Sequence, residues 1–248
     1  MDRAETGIKE FDSLVEGGFP RGFNVLVVGA PGTGKTLFGI QYLFNGARAG
    51  EPGVYISLDM EDGKLKRQAE QLGWDVAKFE KENKISIVKV PLNREKTRIF
   101  DTVQAEVERI GAKRIVFDSL AAFAINIDQF AIPLAFDDEI DRILGRSGPM
   151  KDGVMYEGNS EKRITYLALN KLSEFGTTNM IITDTISDTN TLTVDGVSEY
   201  VCDGLVVLKS LAIGETLSRT LEIKKMRCSK MDGGIKSYKI DSGGISLN

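Results

Sequence analysis

Gly29-Ala30-Pro31-Gly32-Thr33-Gly34-Lys35-Thr36 fits G-x-x-x-x-G-K-[ST] at every fixed position. This is the phosphate-binding loop of nucleoside triphosphatases, which joins a buried strand to the start of a helix. Both flanks agree with that placement. Asn24-Val25-Leu26-Val27-Val28 is the short β-branched run of a buried parallel strand. After the loop, Leu37, Ile40, Leu43, Phe44 and Ala47 recur at helical spacing, so Lys35 and Thr36 open an amphipathic helix. The glycines allow the backbone to curl with its N–H groups turned inward, and the helix N-terminus adds partial positive charge. In such a loop the lysine reaches the β- and γ-phosphates and the Thr36 hydroxyl is placed to ligate Mg²⁺. A glycine-rich turn without a ligand has no need of Gly-Lys-Thr at this register. The loop is therefore expected to bind a nucleoside triphosphate.

Composition narrows the setting. A chain of 248 residues, 42% hydrophobic and 27% charged, is ordinary for a globular α/β domain with a sizeable core. The net charge of −4 and a pI near 5.2 disfavour a general nucleic-acid binder, although a local basic patch stays allowed. No apolar run reaches the length of a membrane span, and Met1-Asp2-Arg3-Ala4-Glu5 has no signal-peptide character, so the cytoplasm is the expected compartment. Cys202 and Cys228 are too few for a disulfide framework. With no histidine, a zinc site and His-based acid–base catalysis are excluded.

Strand-like and helix-like segments alternate along the chain. Gly53–Leu58, Ile85–Val90, Arg114–Phe117 and Met180–Thr183 read as further strands. Helical faces between them carry Leu65, Ala69 and Leu72 before Gly73; Phe100, Val103, Val107 and Ile110 before Gly111; and Ile164, Leu167, Ala168, Leu172 and Phe175 before Gly176. The pattern predicts an α/β fold: a mostly parallel sheet flanked by helices on both faces, with ligand loops at the strand C-termini. Leu205–Leu208, Arg219–Met226 and Lys236–Ile240 look like C-terminal antiparallel additions. One domain, 1–248, accounts for the whole chain. Within it, residues 126–162 form an unusually long excursion, with a short acidic-fronted helix at Asp137–Leu144 and a Gly-, Ser- and Asn-rich stretch at Gly145–Ser160. An excursion of that length reads as a surface loop or as a partner-binding or lid loop.

The strand Ile115-Val116-Phe117 ends in Asp118, the acid that holds Mg²⁺ directly or through water in enzymes with such a loop. Taken together these stretches resemble the KaiC-like branch of the RecA-superfamily ATPases. The likeness runs through the lead-in Thr6–Leu14 and Gly17–Gly22, the loop and helix Gly34–Gly46, Arg114–Leu120, Val197–Gly204 and Lys225-Met226-Arg227. It implies a RecA-like core, ATP and Mg²⁺ as ligands, and a homo-oligomeric ring, usually a hexamer, with ATP between subunits.

The resemblance also implies roles for particular residues. Many relatives place two adjacent glutamates after the second strand, to orient or deprotonate the attacking water. Here Asp59 and Met60 stand in their place, Glu61 follows, and Asp59-Met60-Glu61 also looks like the D-x-E of RecA-type recombinases. The resemblance thus implies Asp59 or Glu61 as the water-activating residue, while charge alone reads both as solvated acids at a strand end. Residues two apart on a strand share a face. Charge alone reads Lys225 and Arg227 as a solvated basic strand; the family pattern implies a pair reaching the γ-phosphate of the neighbouring subunit. The leading expectation is an ATP-hydrolysing regulatory or signalling ATPase with a protein partner not named by the sequence. The alternatives are an ATP-dependent switch with little hydrolysis, motivated by Met60, and a recombinase paralogue on single-stranded DNA. Loops that track DNA are basic, whereas no Lys or Arg occurs from Leu172 through Leu208 and Asp184, Asp188 and Asp195 lie there. Phosphotransfer to a protein Ser or Thr, as in the circadian relatives, stays open.

Overall fold

The computed structural model describes residues 1–90, 98–126, 157–185, 192–213 and 216–248. In chain order the elements are β1 (Arg3–Ala4), α1 (Lys9–Leu14), β2 (Phe19–Pro20), β3 (Asn24–Gly29), α2 (Lys35–Arg48), β4 (Gly53–Ser57), α3 (Asp62–Gln71), α4 (Val76–Lys81) and β5 (Ile85–Lys89). There follow α5 (Ile99–Ile110), β6 (Arg114–Asp118), α6 (Leu120–Ile125), α7 (Glu157–Glu174), β7 (Thr178–Asp184) and α8 (Ser198–Val201). The chain closes with β8 (Gly204–Ile213), β9 (Thr216–Met226), β10 (Ile235–Asp241) and β11 (Gly244–Leu247). Among the described residues, nine strands make one sheet in the order β11-β10-β9-β8-β3-β7-β6-β4-β5. Neighbours from β8 to β5 run parallel, and β9, β10 and β11 are antiparallel.

Every residue of β3 is buried because both faces of the sheet are covered. Val25 and Val27 join the cluster that holds Phe38, Tyr42 and Leu43 of α2 and Leu65 and Ala69 of α3. Leu26 and Val28 join the one with Val103 of α5, Phe123 of α6 and Leu169 of α7. Gly39 lets α2 lie directly on the sheet, since a Cβ there would stand 2.8 Å from Val116. Among the described residues, no helix is long and apolar enough to cross a membrane.

Several expectations need correction. Leu205–Leu208 is not an antiparallel addition: it lies in β8, which pairs in parallel with β3. The cause is at its start, where the Asp203 N–H donates to Asn24 O at 2.8 Å and Asn24 N–H donates to the Asp203 carboxylate at 3.1 Å. These bonds set the two strands off side by side in one direction. The antiparallel addition proper is β9 to β11. The β1–β2 ribbon, α4 and β11 are too short for periodicity to reveal. Most of the long excursion and its acidic-fronted helix, 137–144, lie outside the described residues. Its tail does not: residues 157–162 belong to α7, although Gly158, Asn159 and Ser160 are weak helix formers.

The sheet is anchored at the end opposite the glycine loop by Arg114, which is only 2% exposed. Its Nε and Nη2 donate to Glu51 Oε2 at 2.8 and 2.6 Å, and Nη1 donates to the carbonyls of Glu5 and Tyr42 at 2.6 and 3.0 Å. The guanidinium also lies over the Tyr42 ring, 4.6 Å from its centroid. Burial pushes the Glu51 carboxyl up, but hydrogen bonds from Arg21 and Arg114 outweigh it and hold the group below its ordinary value. Removing Arg114 leaves Glu51 with Arg21 alone and takes the guanidinium donor from two carbonyls, that of Tyr42 in the core. Arg114→Ala is therefore expected to cost about 3–5 kcal/mol, read as a lowered urea midpoint. A loss under about 1 kcal/mol would place the pair among weak surface bridges instead.

Candidate functional site

The central strands carry their chemistry at their C-terminal ends. In register across neighbouring strands, Gly29 of β3 lies beside Asp184 of β7, and Asp118 of β6 lies beside Ser57 of β4. Ligands of open α/β sheets bind at this edge. The loop from Gly29 turns back on itself through Thr33, whose N–H and hydroxyl both donate to Ala30 O, at 3.3 and 2.8 Å. Gly34 then takes φ +92°, a left-handed value that a Cβ would strain, and α2 begins with no side chain capping its N-terminus. Those first amide N–H groups face the loop as an anion site.

The loop is also held from behind by the C-terminal strands. Tyr238 of β10 donates its hydroxyl to Thr33 O at 2.5 Å. Gln41 of α2 grips β11: its Oε1 accepts from Ile245 N at 2.8 Å, and its Nε2 donates to Ile245 O at 3.2 Å.

Lys35 folds over the loop. Its Nζ donates to Gly29 O at 2.7 Å and Ala30 O at 3.2 Å, and it pairs with Asp184 Oδ1 at 2.9 Å. Thr36 donates its hydroxyl to Asp118 Oδ2 at 2.9 Å. The same oxygen accepts a second hydroxyl, from Tyr55 of β4, at 2.5 Å. Burial pushes the Asp118 carboxyl up; these two hydrogen bonds and Lys35 oppose the shift, and Asp59 adds to it. The Tyr55 phenol is pushed well above its ordinary value by burial and then by the Asp118 charge.

Asp59 accepts a hydrogen bond from Ser119 Oγ at 3.0 Å. Its carboxyl lies above the ordinary value through burial, with the Ser119 bond opposing and the charge of Asp184 adding. Glu61 takes the N-cap position of α3, with its side chain 63% exposed and 3.9 Å from Lys89. An open cleft of about 560 Å³ is lined by Gly32, Lys35, Thr36, Asp59, Asp118 and Asp184, and by the apolar Met60, Leu72 and Ile240. That volume lies in the range of small-molecule sites. Asp59 belongs to the cleft, and Glu61 does not line it.

Thr36 and Asp118 offer hard oxygen donors side by side, the chemistry that suits Mg²⁺. Among the described residues no group of three or more carboxylates or thiols forms a metal cage. An ion at Thr36 and Asp118 would therefore complete its shell with ligand oxygens and water, as Mg²⁺ beside phosphates does.

Lys225 and Arg227 lie elsewhere. Lys225 is in register with Leu205, next to Leu26, at the beginning of the parallel strands. The three residues from Leu26 to Gly29 put it roughly 10 Å below the loop, two strands across. Its Nζ donates to the carbonyls of Tyr200 and Cys202 at 3.1 and 2.5 Å. Burial, then the Arg227 charge, lowers its pKa. Arg227 is half exposed and pairs with Asp203 at 2.9 Å. The register shifts by one residue at Lys224, so Ile223 and Met226 both turn into the core and Lys225 and Arg227 share the other side. The structure thus gathers Lys35, Thr36, Asp59 and Asp118 and leaves Lys225 and Arg227 at the opposite end.

Two members of the site escaped the sequence. Tyr55 sits in a run that reads as core, and only a partnered hydroxyl distinguishes it. Asp184 counted as one more acid of a loop. Its signal was position: it ends an apolar strand just as Asp118 does.

Comparison with known proteins follows the same lines. The family described as "ATPase: KaiC" matches residues 4–132 and 156–248. A circadian clock oscillator protein KaiC from Synechococcus elongatus is 30% identical over 256 residues, covering 99% of this chain and 44% of the relative. The chain thus spans under half the length of that curated relative. A UPF0273 protein from Aeropyrum pernix is 29% identical over 261 residues and is covered over 93% of its length. Among solved structures, the KaiC-like protein PH0186 of Pyrococcus horikoshii superposes with a TM-score of 0.78 at 30% identity, covering 100% of this chain and 99% of the other.

Proposed function

The chain belongs to the KaiC ATPase family, and on that premise we propose that it is a regulatory ATPase that binds and hydrolyses MgATP between subunits of a ring. The observation that carries the reading is the convergence of Lys35, Thr36 and Asp118 on one glycine loop at the sheet's ligand edge. The loop amides and Lys35 would hold the β- and γ-phosphates. Thr36 and Asp118 would hold Mg²⁺, which when bound neutralises phosphate charge. Asp59, inside the cleft with Ser119 fixing one carboxylate oxygen, would accept a hydrogen bond from the attacking water and turn it toward the γ-phosphate.

Lys225 and Arg227 would serve the next subunit, because their own loop lies at the far end of the sheet. One cytoplasmic domain, 1–248, in a hexamer is the arrangement we favour. A second reading, a nucleotide switch with slow turnover, is favoured by Met60: it holds a place where relatives carry a second carboxylate, and it packs on the apolar core.

ATP turnover measured with light scattering, with and without MgATP, tests the proposal. Asp59→Asn is expected to keep MgATP affinity and to lower turnover by ~10²–10⁴-fold. Glu61→Gln is expected to stay within about threefold of the parent, as a solvated acid would. The reverse pattern moves the role to Glu61, and a parent without turnover selects the switch.

A further inference from the structure

With the phosphate-binding reading of the loop as premise, we propose that Asp184 sets nucleotide affinity by competing with phosphate for Lys35. An ammonium has three N–H bonds. Those of Lys35 have three oxygens within reach, all from the chain itself: Gly29 O at 2.7 Å, Ala30 O at 3.2 Å and Asp184 Oδ1 at 2.9 Å. A phosphate oxygen arriving at Nζ has to displace one of them.

The three are not equal. The two carbonyls are neutral and belong to the loop that Lys35 folds over, so they keep their positions relative to it. Asp184 comes from another strand, carries a full charge, and is 44% exposed, so its side chain is free to turn to solvent. Its charge also reaches across the cleft, where it adds to burial in raising the carboxyl of Asp59. Incoming phosphate therefore meets Asp184 twice, as a competitor for the same donor and as a like charge beside its path.

A role for Asp184 in orienting water would lower turnover and leave binding alone. A merely structural role would weaken binding when the residue is changed. Competition predicts the opposite sign.

The experiment titrates ADP without Mg²⁺, and MgATP, into the parent, Asp184→Asn and Asp184→Ala by calorimetry. Asp184→Asn keeps shape and loses charge; it is expected to bind ADP ~10-fold more tightly, and Asp184→Ala at least as tightly as that. Both are expected to melt slightly lower when free of nucleotide and to gain more from ADP than the parent does. Equal or weaker ADP affinity in both variants, with a parent that binds, overturns the competition alone. A parent that binds neither nucleotide overturns the phosphate-binding premise and the proposal with it.

Discussion

Lys35→Ala is expected to lose MgATP binding by ~100-fold or more, a difference of about 2.7 kcal/mol, while the nucleotide-free fold survives. The lysine supplies the one side-chain cation that reaches the loop among the described cleft residues. Without it, a polyanion would enter a cleft lined by Asp59, Asp118 and Asp184 with only backbone amides to receive it. The fold has less to lose. Lys35 bonds to two carbonyls and a part-exposed carboxylate at the edge of the sheet, not within either apolar cluster. Calorimetric titration with MgATP checks the first part, and circular dichroism with thermal melting checks the second. A variant that binds like the parent would remove Lys35 from the site.

Arg227→Ala is expected to cut hydrolysis by ~10³–10⁵-fold, the worth of an arginine supplied to a transferring phosphoryl group, with MgATP binding largely retained. Position separates cis from trans. Arg227 follows the last residue of β9, beside the starts of β3 and β8, and its guanidinium is tied to Asp203. Complementation reads the difference directly. Lys35→Ala subunits keep Arg227, and Arg227→Ala subunits keep the loop. If the proposed ring forms, some interfaces in a mixed ring would regain both parts, and activity is expected to return in part. Exchange of labelled subunits between rings has to be followed alongside. With exchange seen, a mixture as inactive as its parents assigns Arg227 to its own subunit or to structure.

How much of this was legible beforehand differs from element to element. The loop was readable because phosphate chemistry fixes both residue types and spacing, and the parallel strands because burial on both faces leaves unbroken apolar runs. Asp118 was readable from its place at the end of such a run. The direction of β8 was not: its apolar residues fit either sense, and the choice rests on Asp203 and Asn24, two polar residues far apart in sequence. Asp59 and Glu61 were equivalent as letters. They separate only in space, where the turn after β4 points one into the cleft and gives the other to the N-cap of α3. Tyr55 and Asp184 were hidden for a related reason, since each acts through a partner on another element: Asp118 of β6 for Tyr55, and Lys35 at the start of α2 for Asp184.

The grip of Gln41 on β11 gives the far end of the chain a reporting role. Gln41 stands on the helix that the loop opens, and the amide of Ile245, 204 residues later, donates to its side chain. Tyr238 joins the same strands to Thr33 within the loop. A ligand that steadies the loop and the first turns of α2 is expected to steady β10 and β11 as well. Hydrogen–deuterium exchange at Ile245 would then slow when phosphate is bound, although the residue touches none of it. The strand β11 would then report occupancy, and trimming the chain before Gly244 is expected to loosen the very loop with which the sequence announces itself.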